Sequence, residues 1–384
     1  MSNEREPCSA HWQRRDALLA TLALLAGCAA EPRADKAAAT AKIARFYPPA
    51  PAPPRIQHLV TLASERDLGA PRSGFADFVA GKDTKPLALS QPYGCSLYDS
   101  KLYVADTGAG GLAVFDLVTR RMSLHPGAGA GRMIRPINIT IDSDGGKFVA
   151  DTGAERVLFY DRELRFVRTY GEAGQFRPTD VAIAGERLYV VDILNHQIQV
   201  LDKRGGATLL KFGQAGTGVG DLFQPTNLAI GPSGDVFVAE TGNFRVQRFT
   251  AQGKPVRIYG QAGNVPGTFA RPKGVAVDRA GRLYVVDSAF QNVQIFEDDG
   301  RLLMDFGRPQ EGLDGLNLPA AVRLDYDHVP LFARYAEPGF TIEHLIMVSS
   351  QFGPNKVDVY GFGRKAGETY DNAPAPVARP APGS

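Results

Sequence analysis

The sequence predicts an all-β fold, a β-propeller of four-stranded blades. Three observations carry that prediction. A unit recurs every 42 to 47 residues, its copies opening at Pro92, Pro136, Pro178, Pro225, Pro272 and Pro319. Inside each copy apolar and polar residues alternate with period two, the pattern of strands rather than helices. Short Gly-bearing turns separate the alternating runs at hairpin spacing. A repeat of this length is a propeller or a solenoid, and solenoid repeats of similar length are helical. Four antiparallel strands per unit make a propeller blade.

The fifth copy shows the elements most plainly. Residues 274–278 read as its first strand, turned by Asp278-Arg279-Ala280-Gly281. Residues 282–287, 293–297 and 301–306 read as the second, third and fourth strands. The first strands carry "DVAI", "NLAI" and "GVAV". Ala suits the crowded inner end of a blade, where a larger side chain would overpack at a cost of roughly 1–3 kcal/mol. The sixth copy supplies residues 320–325, 344–349 and 356–362 and lacks a fourth strand. The strand-like segment 55–62, "RIQHLVTL", belongs to no copy. It is expected to complete the last blade and close the ring, which removes exposed sheet edges.

The copies resemble NHL repeats. The resemblance rests on "RPTDVAI", "QPTNLAI" and "RPKGVAV", on strand ends of the "VADTG" type, and on "NHQIQVLD" and "NFRVQRF". It covers about 270 of the 384 residues, and the first and sixth copies depart most from the pattern. It implies a six-bladed β-propeller.

The rest of the chain divides around this body. Arg14 and Arg15 precede the apolar run at 17–27, which reads as a secretory signal and is too short to span a bilayer. Leu25-Ala26-Gly27-Cys28 resembles the lipobox of bacterial lipoproteins, which implies cleavage before Cys28 and its acylation. Ala29 is not the Asp that favours inner-membrane retention in that family. The resemblance therefore implies a lipid-anchored protein of the cell envelope, at the outer membrane if the cell has one. The expected divisions are a signal at 1–27, a lipidated tether at 28–54, the propeller at 55–363 and a Pro/Ala-rich tail at 364–384. Of the three cysteines, Cys8 leaves with the signal and Cys28 carries lipid. Cys95 is left without a disulfide partner and reads as a small buried hydrophobe.

A repeat sorts its own residues. Asp106, Asp151, Asp192, Glu240 and Asp287 hold one position in successive copies, so each is expected to bond backbone at its own turn. Strand direction places the turns after second strands, and the connectors between copies, on one face, here called the top. The Gly-rich connectors vary there, and binding residues favour variable loops on a rigid scaffold.

Two residues after three landmark prolines stand Asn138, Asp180 and Asn227, oxygen ligands of a type that suits Ca²⁺ or Mg²⁺. They could equally bond strand-end backbone. Arg135, Arg177, Arg271 and Lys273 place positive charge about the same mouth. That charge suits an acidic ligand; alternatively each guanidinium pairs with an acid of a neighbouring blade or packs on an aromatic. His196 and Arg245 lie on the outer top loops. Residues 326–344 lengthen the first hairpin of the sixth copy and belong underneath. Their aromatics would dock a partner, face the membrane or fold back on the base.

The net charge of +2, from 43 basic and 41 acidic residues, gives no basic excess for nucleic acid. The six histidines avoid the mouth positions, which disfavours the zinc lyase chemistry known among propellers with NHL-like blades. The sequence reads as a membrane-tethered, monomeric binding or scaffold propeller for a protein, peptide or cell-envelope ligand. No catalytic residue and no cofactor is assigned. The alternative is a metal-dependent enzyme of the propeller lactonase or lyase type, its cation on Asn138, Asp180 and Asn227.

Overall fold

A computed structural model gives the structure of the chain and describes residues 45–69, 86–308 and 315–370. The expected signal, Cys28, the tether before residue 45 and the tail from 371 lie outside the described residues.

The landmark prolines open the strands Pro92–Tyr98, Pro136–Ile141, Pro178–Ala184, Pro225–Ile230, Pro272–Val277 and Pro319–Asp325. Each of these first strands packs against the first strands of both neighbouring blades, the sixth returning to the first. They form the inner wall of a closed six-bladed ring. Five blades are four-stranded sheets in chain order from the axis outward.

The sixth blade runs outward as Pro319–Asp325, Phe340–Ser350, Val357–Lys365, Ile56–Leu62 and Phe46–Tyr47. The early strand closes the ring as the sequence predicts, pairing Ile56 with Phe362, His58 with Tyr360 and Leu62 with Val357. One strand more than expected lies beyond it, because Phe46 and Tyr47 pair with Gln57 and Ile56. The sheet thus reaches outside the predicted 55–363 at both ends. Across the seam Thr61 donates to Asp358 at 2.5 Å, and the His58 ring nitrogen lies 3.0 Å from the same carboxylate oxygen.

Six apolar clusters fill the six spaces between blades. Between blades six and one, Leu59, Leu62, Met347 and Val359 meet Leu97, Val104 and Phe115. Between five and six, Ile56 and Tyr360 meet Tyr284 and Phe306. Each buried aliphatic or aromatic side chain contributes roughly 1.5–3 kcal/mol, so closure buries the seam strand on both of its faces. Cys95 lies in the first of these clusters, and burial pushes its thiol up to about 12.

The repeated acids serve the blades. Asp151 accepts hydrogen bonds from the backbone N–H groups of Ile134, Arg135, Gly153 and Ala154. Asp106 and Asp287 repeat the pattern, each tying the segment before its own landmark proline to the turn after its second strand. The next residue then pins the following blade. Thr107, Thr241 and Ser288 donate to the carbonyls of Pro136, Pro272 and Pro319.

The lengthened hairpin folds back on the propeller's own base. A short helix, Val329–Phe332, buries Phe332 in the cluster between blades six and one. Gln57 clamps the segment from both sides, donating to the Tyr335 carbonyl and accepting from the Glu337 N–H.

Candidate binding face and axial mouth

Every blade has a register shift just after its landmark proline. In four blades Pro pairs with the end of the second strand and pairing resumes two residues on, leaving one residue unpaired. A bulge of this kind re-aims side chains. It separates two rows at the top of the ring.

The row two residues after the prolines faces the adjacent blade. Asn138 donates to the Thr179 carbonyl at 2.9 Å. Asp180 accepts from its own neighbour Val181, from Leu228 of the next blade and from the Asn227 amide. A Cβ on Gly94 would stand 1.9 Å from Asn138 Oδ1, and one on Gly274 would stand 2.5 Å from the Ala321 Cα. Glycine at 94 and 274 therefore lets the inner strands approach. The structure brings Asn138, Asp180 and Asn227 together and buries all three. Burial raises the Asp180 carboxyl above the usual range, against the pull of Arg323 and the amide donors. Asn227 Oδ1 and Thr179 Oγ1 are buried without a hydrogen-bond partner among the described residues.

The bulge row, one residue after the prolines, holds Tyr93 and Lys273. The Lys273 ammonium lies 5.1 Å from the centroid of the Tyr93 ring. Blades five and one are not neighbours, so this contact passes over the inner strand of blade six, where Ala320 and Ala321 leave room. Lys273 is only 8% exposed. Burial, with Arg271 beside it, draws its amine down to about 8.

The other predicted residues fall into two groups. Arg135 and Arg271 are exposed on the rim, and their guanidinium groups have no hydrogen-bond or ion-pair partner among the described residues. Arg177 is tied to Glu155 of the neighbouring blade at 2.9 Å. Arg245 is a strut between its turn and the connector before its blade, donating to Glu240 and to the carbonyls of Thr217, Gly218 and Asp221. The His196 ring stacks on Phe223 at 5.3 Å and accepts from the Gln224 N–H.

Most of the apolar part of the top face was not read from the sequence. Fourteen large hydrophobic residues are exposed among the described residues, and seven of them stand on top: Ile134, Leu194, Val219, Phe223, Phe244, Val265 and Phe352, while Leu87 lies opposite Glu65 beside the outer strand of blade one. Val118 alone of the fourteen lies in a turn beneath, and the other five lie on outer strands. The signal was present in the Gly-rich connectors, which hold Val219, Phe223 and Val265 among turn residues that need no apolar side chain.

Residues 224–249 and 269–296 match the family model of the NHL repeat. The chain carries NHL repeats. Among solved structures, this NHL propeller is similar to a gluconolactonase from Xanthomonas campestris, at 14% identity and a TM-score of 0.53, covering 80% of this chain and 89% of that one. It is similar to a regucalcin from Agrobacterium tumefaciens described as calcium-binding, at 12% identity and a TM-score of 0.51, covering 72% and 92%. It is also similar to a catalytically inactive virginiamycin B lyase from Staphylococcus aureus solved with quinupristin, at 15% identity and a TM-score of 0.50, covering 71% and 95%. At such identities the likeness is one of fold alone, and the NHL propeller's activity has to be argued from its own residues.

Proposed function

We propose that this NHL propeller is a binding or scaffold module of the cell envelope, tethered to the membrane through a lipid on Cys28. It recognises a protein, peptide or envelope ligand through its top face. The observation that carries the reading is the bias of exposed loop hydrophobics toward that face, seven against one beneath. Apolar side chains held in the loops of one face supply anchors for a partner. The unpaired Arg135 and Arg271 among them supply a polar rim and favour a partner with exposed carboxylates. Capture from envelope extracts tests the reading. Arg135→Glu with Arg271→Glu, and separately Phe223→Asp, should abolish capture that Val118→Asp beneath leaves intact. Equal capture by all of these variants would remove the top face from the account.

A second reading, a metal-dependent lactonase or lyase, is favoured by one observation. The buried Asn227 Oδ1 beside Asp180 lacks a partner among the described residues. The donor set fits a hard cation poorly, because one carboxylate is a thin charge supply and its oxygens already accept three N–H groups. Metal analysis of protein purified without chelator decides between the readings. A stoichiometric cation lost in Asp180→Ala would favour the second.

A further inference from the structure

We infer that the axial mouth binds a small organic carboxylate, its anionic head against the Lys273 ammonium and its apolar body over Ala320, Ala321 and the Tyr93 ring. This site lies inward of the exposed top face and does not depend on the macromolecular reading.

Two lysines are buried among the described residues. Lys147 is fully buried, and its ammonium donates to the carbonyls of Gly145, Asp161 and Arg162. Lys273 is 8% exposed, and its ammonium has neither a hydrogen-bond acceptor nor a carboxylate partner among the described residues. It has only the face of Tyr93. A buried charge is costly unless paired and hydrogen-bonded, and blades three and four manage the same bulge position with Thr179 and Thr226.

The surrounding charge points to an anion. Arg271 stands beside Lys273 and lowers its proton affinity. Arg323 reaches across the axis deeper in the ring with one hydrogen bond, to the Ile139 carbonyl. The acid facing them, Asp180, has both oxygens occupied by N–H donors. Three cations therefore meet one committed carboxylate. The walls point to an organic ligand, since Tyr93, Ala320, Ala321 and Ile137 form an apolar cluster at that level. A few polar groups set in an apolar wall are the make-up of a small-molecule site.

Calorimetric titration of the full chain with benzoate, butyrate and succinate, with inorganic phosphate as the charge-only control, tests the inference. Wild type should bind at least one carboxylate saturably, one to one. Lys273→Gln and Lys273→Met should each weaken it at least tenfold, with unfolding midpoints no lower than wild type. Binding at pH 8.5 should take up protons, because the bound anion restores the charge on Lys273. Saturating carboxylate should also protect Lys273 from acetic anhydride, read by peptide mass. Three results would overturn it: no saturable binding of the three carboxylates, equal affinity in Lys273→Gln, or phosphate binding as tightly as the organic anions.

Discussion

Arg323 of blade six donates through Nη2 to the carbonyl of Ile139 in blade two, 3.1 Å away. Blade one lies between them, so the side chain crosses the axis. At the same register blades three to five place Ala182, Ala229 and Ala276. Where the repeat calls for a methyl group the sixth copy puts a guanidinium, and the ring is tied across its centre.

Arg323→Ala should lower stability by about 1.5–3 kcal/mol, the worth of a hydrogen bond from a charged donor. The urea midpoint should fall with an unchanged slope. Asp180 should become harder to ionise, because Arg323 opposes the effect of burial on its carboxyl. A carboxyl titration by NMR reads that shift. An unchanged midpoint would reduce the cross-axis bond to a bystander.

His344 is expected to make the fold sensitive to acid. Its ring is stacked on Phe362 at 4.8 Å, with Tyr326 on another side and the Tyr284 hydroxyl at 3.4 Å. Burial draws it down to about 4, against the attraction of Asp278 and with the repulsion of Arg282, Arg55 and Arg279. The unfolded chain takes up this proton near 6.5 and the folded chain near 4. Stability is therefore full above about 6.5 and falls as pH drops toward 4, by on the order of 3 kcal/mol. His344→Phe keeps the stacking and removes the titration, so its midpoint should differ less between pH 7 and pH 4. An equal decline in both proteins would assign the acid sensitivity elsewhere.

Asp151→Asn should cost about 2–4 kcal/mol. The four N–H groups that converge on its carboxylate would face an amide that cannot accept them all. Calcium or EDTA should leave the unfolding midpoint of both proteins where it was. A wild-type midpoint that rises with calcium and falls with EDTA, with no such response in Asp151→Asn, would make the repeated acid a metal ligand rather than a strut.

Much of this architecture was legible. The period gave six blades, the alternation gave their strands, and the stray run at Ile56 gave the closure. The recurrence of Asp106, Asp151 and Asp287 marked them as structural, and their backbone bonds bear that out. The bulge was not legible. One extra residue after each proline leaves the alternation unchanged in the sequence, yet it turns Lys273 and Tyr93 toward the axis while Asn138 and Asp180 face a neighbouring blade. Composition hinted at it, since the bulge row reads Tyr, Ile, Thr, Thr, Lys, Ala while the next row keeps to small or amide-like side chains. Contacts such as Lys273 with Tyr93 join blades that are not adjacent, and no local pattern encodes them. Phe46 and Tyr47 were missed because two residues cannot alternate. Phe332 shows that aromatic content alone does not separate a docking surface from an internal plug.

Closure by the early strand underlies every assignment of face and site, and one crosslink tests it directly. Thr61 and Asp358 are paired across the seam, 297 positions apart in sequence. Cysteines at both positions, in a chain with Cys8 and Cys28 changed to Ser, should oxidise to an intramolecular disulfide in the native monomer. The bond should raise stability by as much as about 5 kcal/mol. Cysteines that stay reduced in the folded monomer, or that join only between molecules, would contradict the closed ring.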